Sequence, residues 1–429
     1  MNNLKELSEL AWQGKLDTKF EHHPVHTFYE GSTELEENLL GLKGIAGFYI
    51  IDTKDGLVMI DSGSHLDIDS AYNEINKWRP NGDVKAAIFT HHHVDHIFGT
   101  QRFDENANKL NRDGPVVYSH KLLPEHLDRY KKTLGWNTAI NRRQFAINVP
   151  HFKWPEEYRY PDITYEENTT FTLGDCTFEL FHGKGETDDH TWVFVPERKI
   201  LAPGDLFIWA VPNGGNPQKV QRYVSDWSEA LKQMMKKNAE IMIPGHGFPI
   251  FGKDRIQEAL STTAYFLEDL ENETLKLMNQ GKSLNEVFHQ VKIPTEIQKK
   301  PWLRPVYDDP KFLIKMIWKR YGGWWDGEYD RLLPDTRENE AKEWVDLCGG
   351  TDLIIDKALE NLRKKKIELA AHLIEVAYYA DKQNKKLHAA RKEIYSSFSK
   401  IQDSSMARNI LNHAALSSNE QKRDLASEN

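Results

Sequence analysis

Between Phe28 and Ile60 the apolar residues come in short runs, GIAGFYIID and GLVMID, bounded by Gly and Asp, as strands do. The period then changes. Ile68, Ala71, Ile75 and Trp78 recur on one helical face, so the spacing predicts a helix over Asp67–Trp78 with Asp67 as its N-cap and Pro80 beyond its end. Val84–Thr90 is another apolar strand, and further ones are predicted over Thr177–Phe181, Trp192–Val195, Lys199–Ala202 and Glu240–Ile243. Strands and helices alternating at this spacing indicate an α/β layered domain. Residues 104–165 have no clean period and read as a long irregular insertion of the kind used for lids and binding loops.

After residue 252 strand signals stop. Ile256, Leu260, Ala264 and Leu267 share one helical face, and helices continue to about residue 415. Ala370, Ile374 and Ala377 have the spacing of a single helix-hairpin repeat unit, which does not support an array. The boundaries expected are an N-terminal arm over 1–23, an α/β domain over 24–252, an all-α domain over 253–416 and a polar, disordered tail over 417–429.

Composition narrows the class. The 429 residues carry a net charge of −9, which disfavours a general nucleic-acid binder. No apolar run is long enough to span a membrane, and MNNLKELSEL has no apolar core of a secretory signal. Cys176 and Cys348 show no metal or redox spacing; together these features set a cytoplasmic location as the expectation.

The unusual feature is 18 histidines, part of which assemble as Thr90-His91-His92-His93-Val94-Asp95-His96 at the end of a strand. In extended backbone His91 and His93 face one way, with His92 opposite. After a turn Asp95 and His96 can present a second pair of ligands. A histidine run alone is more often a solvated patch, but the order H-x-H-x-D-H after an apolar strand favours a borderline divalent cation such as Zn²⁺.

This motif resembles the signature of the metallo-β-lactamase superfamily. The resemblance implies an αβ/βα sandwich with a dinuclear metal site at one edge, and further ligands on later strand ends. His182-Gly183-Lys184-Gly185-Glu186-Thr187 stands where the family has H-x-P-G-H-T, Pro203-Gly204-Asp205 matches its bridging carboxylate, and Pro244-Gly245-His246-Gly247 its last imidazole. Asp61 matches a bracing Asp that binds no metal. The implied sets are His91, His93 and Glu186 for one ion and Asp95, His96 and His246 for the other, with Asp205 between them. Two ions, zinc foremost, would share a bridging hydroxide as nucleophile, with Asp95 handling its proton. Glu186 replaces a histidine and loosens the preference for zinc. His190 is read as a catalytic residue that supports the ligands from behind or faces substrate, rather than as an alternative ligand.

Glu186 at this place is similar to the alkyl sulfatase branch, and the likeness continues through Trp302–Tyr307, Lys319–Gly327 and Ser405–Asn409, which resemble its dimerisation region. Asp205 departs from that branch's Glu. Asn213 has the offset of a sulfate-contacting Asn, and Asn141, Arg142 and Arg143 are candidate anion donors, with a solvated basic loop as the other reading. Lys219, Arg222 and Tyr223 are read as helix-capping residues or further donors, and Trp209, Trp324 and Trp325 as core or interface before substrate channel. The expectation is thus a homodimeric, metal-dependent hydrolase of a sulfate ester or a related small ester. The chain stops short of a sterol-carrier-like domain found in secreted alkyl sulfatases, so long-chain detergents are not the expected substrate. The alternatives are hydrolysis of a lactone, thioester, phosphoester or β-lactam by the same site, or a helical partner-binding scaffold.

Overall fold

The computed structural model describes residues 3–80, 82–147 and 152–427. The chain forms two compact units, one of residues 1–132 and 155–323, the other of 133–154 and 324–429.

The first unit is built on two sheets. One contains β1 (Tyr29–Glu36), β2 (Leu39–Lys43), β3 (Gly47–Thr53), β4 (Gly56–Ile60), β5 (Val84–Ile88), β6 (Val116–His120) and β7 (Ile163–Tyr165), in that spatial order. Its first four strands form an antiparallel meander, and β4 to β7 run parallel. The other contains β8 (Asn168–Leu173), β9 (Cys176–His182), β10 (Thr191–Val195), β11 (Ile200–Ile208), β12 (Ile241–His246) and β13 (Ile250–Phe251), with β11 and β12 parallel and the remaining pairs antiparallel. Alternate residues Tyr49, Ile51, Val58, Ile60, Ala86 and Ile88 of the first sheet join Phe178, Leu180, Val193, Leu201 and Met242 of the second in one core. The intervening Ile50, Met59 and Ala87 are buried too, so these strands are apolar on both faces and read as continuous runs rather than alternating ones. Tyr49 ties the sheets together near the site by donating to the Pro244 carbonyl at 3.0 Å.

The helices of this unit include α1 (Leu4–Trp12), α2 (Ile68–Trp78), α3 (Gln101–Lys109) and α4 (Leu123–Lys132); α5 (Leu134–Gln144) lies in the second unit, and α6 (Val224–Met235), α7 (Lys253–Met278), α8 (Leu284–Gln290) and α9 (Pro310–Gly322) complete the first. The N-terminal segment, whose sequence allows a short polar helix or an arm, is the helix α1 and is docked: Leu4, Leu7 and Ala11 are buried in the core, and Trp12 stacks on Trp302 at 4.4 Å. The irregular insertion expected over 104–165 is partly helical, as α4 and α5 with strand β7 after them; residues 148–151 lie outside those described. Helix α5 escaped prediction because it buries Asn137, Thr138, Asn141, Arg142 and Gln144 with its apolar residues, so no apolar stripe marks it.

The compact units do not divide at residue 252. Ile256, Leu260, Ala264 and Leu267 do share a buried face of α7, but that face, with Leu313 and Ile317 of α9, belongs to the core of the first unit. Helices α10 (Arg337–Cys348), α11 (Thr351–Arg363), α12 (Ile367–Ala380), α13 (Lys385–Lys400) and α14 (Ser405–Asn419) make up the second unit with α5. Ala370, Ile374 and Ala377 sit in its core, packed with Ile355, Leu387 and Ile394. The segment from 417, expected to be disordered, continues α14 and is then pinned: Asp424 accepts from His413 at 2.9 Å and from Arg143 at 2.7 Å, and Ser417 Oγ accepts from the Leu425 amide. Among the described residues no helix is long and apolar enough to cross a membrane.

Candidate metal centre

The functional side chains arrive from strand ends and the loops that follow them, where parallel strands leave their carboxyl termini open to ligands. The segment His91–His96 follows β5, Glu186 and His190 lie between β9 and β10, and Asp205 and His246 stand on the adjacent parallel strands β11 and β12. Gly245 is required by this closeness, because a Cβ there would strike Asp205 Oδ1.

Asp205 is the centre of the arrangement. Its Oδ2 lies 3.7 Å from His91 Nε2 and 3.3 Å from His246 Nε2, and its Oδ1 lies 3.4 Å from His96 Nε2. His246 Nε2 is also 3.4 Å from Asp95 Oδ2, and His91 Nε2 is 2.8 Å from His93 Nδ1. Two donor groups result, His91 with His93 and Asp205, and Asp95 with His96 and His246. The carboxylate of Asp205 thus reaches imidazoles of both.

The outer nitrogens of three imidazoles are already engaged. His96 Nδ1 donates to Asp61 Oδ2 at 2.8 Å, His246 Nδ1 donates to the Ile45 carbonyl at 3.0 Å, and His91 Nδ1 donates to Thr90 Oγ1 at 3.0 Å, whose hydroxyl in turn donates to Asp61. Each ring therefore turns its Nε2 inward, the arrangement of metal-ligating histidines whose outer nitrogen is held by a hydrogen-bond partner. Asp61 does this from a left-handed backbone, φ 54, a conformation costly for a residue with a Cβ and retained here by its bonds to Thr90 and His96. His96 Nε2 and Asp205 Oδ1 are buried and make no hydrogen bond among the described residues. Nitrogen and carboxylate donors facing one another with their outer atoms satisfied are the donor set a divalent cation takes, so these residues fit a metal.

The electrostatics agree. Burial alone would hold His96 and His246 neutral, but the carboxylates of Asp205 and Asp95, with Asp61 at His96, overcome it and raise both imidazoles, His246 to about 9. Burial and the neighbouring histidines push His91 well below its usual range. Burial opposes ionisation of Asp205, yet His246 and His96 hold its carboxyl far down. These carboxylates attract positive charge that the imidazoles supply as protons when no cation is bound.

Glu186 stands at the edge of the first group, 3.5 Å from His93 Nδ1. Its Oε1 also accepts from Asn213 Nδ2 and pairs with Arg222 Nη1, each at 2.6 Å. Burial pushes the Glu186 carboxyl up, and Arg222 is the strongest influence holding it down. Of the two places open to His190, the structure gives the one behind the ligands: it is fully buried, stacks on His91 at 4.7 Å, and its Nε2 accepts the Asp205 backbone N–H at 3.1 Å. A ring nitrogen spent on that amide fixes the backbone that carries the central carboxylate. Asn141, Arg142 and Arg143 are on α5 in the second unit, where Arg143 is ion-paired to Asp424, so the segment is not a solvated loop.

Arg222 is more than a helix cap. It is 2% exposed, holds Glu186, and donates to the Asn213 carbonyl at 2.5 Å. The half-buried Lys219 is depressed to about 7 by burial and by Arg222. A lone Arg in a polar stretch reads as surface, because charged side chains are seldom buried without partners, and the partner here lies far away in sequence. Asp189, His126 and Arg129, grouped around His92, also escaped sequence reasoning; the acidic pair Asp188-Asp189 beside the Glu186 loop was the available signal. Trp209 is core, its Nε1 donating to the Phe248 carbonyl.

Residues 46–246 match the model of the metallo-beta-lactamase superfamily, and residues 283–421 match that of alkyl sulfatase dimerisation. Among curated proteins, a linear primary-alkylsulfatase of Pseudomonas sp. is 23% identical over 357 residues, 78% of this chain and 67% of that protein. An (R)-specific secondary-alkylsulfatase of Pseudomonas sp. is 24% identical over 410 residues, 89% of this chain and 61% of that one. The chain therefore spans about two thirds or less of the length of these relatives. A metallo-beta-lactamase type 2 of Bacillus sp. is 27% identical over 201 residues, 46% of this chain and 65% of that one. The solved structure of a stereoselective inverting sec-alkylsulfatase from Pseudomonas sp. superposes with a TM-score of 0.82 at 22% identity, covering 91% of this chain and 66% of that one, which establishes the fold.

Proposed function

We propose, from the premise that the chain belongs to the metallo-beta-lactamase superfamily in its alkyl sulfatase-like branch, that it is a dinuclear metal-dependent hydrolase of sulfate esters. The observation that carries this reading is the Asp205 carboxylate lying between two imidazole groups, with a cationic wall of Arg222 and Lys219 beside them. In this reading His91, His93 and Glu186 would hold one divalent ion and Asp95, His96 and His246 the other, with Asp205 within reach of both sets. Each set pairs two imidazoles with one carboxylate, a mixture that suits zinc, and Glu186 gives the first set a carboxylate where the superfamily has a third imidazole. Bound ions supply Lewis acidity and a water acidic enough to act as nucleophile near neutral pH.

The chain's own groups do the rest. Asp95 is the carboxylate of the centre with the most exposed side chain, 20%, against 4% for Asp205 and 3% for Glu186. It takes the proton of the attacking water at a carboxylate oxygen. Asn213, Arg222 and Lys219 present donors and positive charge to the anionic head of the ester. Arg222 Nε is a buried donor with no hydrogen bond among the described residues, in keeping with an oxyanion as its partner. Nothing in this set requires a serine or cysteine nucleophile. Cys176 and Cys348 are free thiols, and a cytoplasmic setting completes the reading.

The test is a hydrolysis panel of alkyl sulfates of several chain lengths, a phosphodiester, a lactone and a chromogenic β-lactam, run on the metal-loaded chain and after dialysis against EDTA. Alkyl sulfates should be turned over fastest. EDTA should abolish turnover and lower the melting temperature, because the ions bind only the folded state. Turnover that persists at zero measured metal would overturn the mechanism, and a β-lactam or lactone preferred over every sulfate would replace the substrate class.

A homodimer is part of the same proposal. In the second unit Trp324 is 73%, Leu333 92% and Leu347 78% exposed, apolar surface of a kind that monomers rarely leave open. The chain should run at twice its own mass in light scattering, and Leu333→Asp with Leu347→Asp should shift it to the monomer. A wild type that is monomeric at micromolar concentration removes this assignment.

A further inference from the structure

Lys43, the last residue of β2, is 3% exposed and curls over the loop that joins β2 to β3. Its Nζ donates to the carbonyls of Pro24 at 3.0 Å, Thr27 at 3.1 Å, and Gly44 and Ile45 at 3.4 Å each. An ammonium has three N–H donors, so two serve the segment before β1 and the third is shared by the two loop carbonyls. Among the described residues no carboxylate bonds to it; Asp67 and Asp95 act on its charge from a distance.

One of these carbonyls has a second task. The Ile45 oxygen accepts from His246 Nδ1 at 3.0 Å and so sets the direction of that ring. A carbonyl oxygen has two lone pairs, and here one meets the imidazole and the other the ammonium. His96 leans on Asp61, a side chain that is itself bonded to Thr90. His246 leans instead on a peptide of the three-residue loop Gly44–Ala46, which lies outside the strand ladder and needs something else to fix its plane. Gly44 packs so closely on Asp67 that a Cβ there would stand 2.3 Å from its Oδ1, and Asp67 is held in turn by the backbone N–H and hydroxyl of Ser64. The Lys43 ammonium supplies the remaining tie, to the Ile45 oxygen itself.

This placement costs stability. Burial pulls the Lys43 ammonium down to about 7, while Asp67 and Asp95 hold it up. An apolar side chain of similar length would fill the space without desolvating a charge. What the ammonium alone can do is gather four carbonyls at one point, the oxygen behind His246 among them.

We propose that Lys43 is a positioning residue of the second donor set: it fixes the Ile45 carbonyl, through it the His246 ring, and so the affinity for the ion that Asp95, His96 and His246 would bind. The inference rests on the dinuclear reading for that ion. Because the outer nitrogen of His91 rests on Thr90 and not on this loop, the first donor set should be indifferent to Lys43.

The experiment titrates cobalt(II) into the metal-free chain, with binding followed by visible absorption and by metal content. Wild type should take up cobalt in two steps, and His246→Gln identifies the step that belongs to the second set. Lys43→Met should weaken that step about tenfold, the lower end of what losing a partner behind a metal ligand costs, and leave the other within about twofold. The kcat for the best ester should fall at limiting cobalt and return at saturating cobalt, with KM held within about twofold because Lys43 is not placed to meet substrate. Lys43→Arg, which keeps charge and donors, should bind the second ion more tightly than Lys43→Met. If Lys43→Met does not fold, Lys43→Gln, which keeps an N–H donor and loses the charge, carries the same comparison. Wild-type affinity in both steps for the uncharged variant sinks the inference, and so does equal weakening of both steps, which marks a general role in the fold. Lys43→Arg no better than the uncharged variant sinks it as well. A wild type that binds two ions and shows this Lys43 dependence, yet hydrolyses no sulfate ester, would remove the activity and keep the positioning role. A wild type that takes up no second ion would sink both.

Discussion

Asp205→Asn should lower kcat/KM for the best ester by at least about a thousandfold and remove most of the bound metal. The basis is the position of one carboxylate between the inner nitrogens of His91, His96 and His246 at 3.3–3.7 Å. Replacing a second-shell partner of a metal ligand costs about 10–100-fold in metal affinity or activity, and a group shared by both donor sets has to cost more. Asp61→Asn is the graded control, since Asp61 reaches the centre only through His96 and Thr90. Metal analysis and steady-state kinetics on the same preparation decide it, and Asp205→Asn at wild-type turnover with full metal would end the dinuclear assignment. The metal-free wild type carries a second readout. His246 is raised from 6.5 to about 9 by Asp205 and Asp95 against the pull of burial, so its folded-state pKa exceeds its unfolded one. That contribution to stability is complete below pH 6.5 and is lost as pH rises through about 9. The melting temperature of the metal-free chain should fall across that window, and Asp205→Asn should flatten the slope.

Arg222→Met should destabilise the first unit by about 3–5 kcal/mol, the cost of leaving one member of a buried ion pair without the other. Arg222 and Glu186 are 2% and 3% exposed and 2.6 Å apart, so water cannot replace the lost partner. Adding Glu186→Gln should return much of the stability, because an amide can still accept from Asn213 and carries no unpaired charge. Urea unfolding of the two single variants and the double variant gives the coupling directly. A single Arg222→Met that unfolds at the wild-type midpoint would show the pair to be dispensable, and with it the argument that Arg222 is a built part of the centre.

Much of the candidate site was legible because its candidate ligands are local in sequence or stand on strands marked by short motifs. H-x-H-x-D-H occupies six consecutive residues, and the Pro-Gly-Asp and Pro-Gly-His segments mark β11 and β12 by their own punctuation. What was misread or left open depended on partners far along the chain. For His190 the spacing left a supporting and a substrate-facing place open, and the choice was made by the Asp205 amide fifteen positions away, which takes its Nε2. Arg143 looked like a free fork, yet it meets Asp424, 281 positions on. The break in texture at 252 marked the end of the strands, which differs from the end of the unit, because α7 and α9 bury their faces in the same core as the sheets.

By itself the sequence determined the α/β order of the first part, the helical character of the second, and the residue types gathered for a metal, since periodicity and short motifs are properties of neighbouring residues. Only the tertiary structure decided which nitrogen of each imidazole faces inward, that Arg222 is the buried partner of Glu186, and that Lys43 reaches the carbonyl that holds His246. Hydrogen-bond direction and burial depend on groups brought together from opposite sheets and loops, and a buried charge survives only where such a partner arrives to meet it.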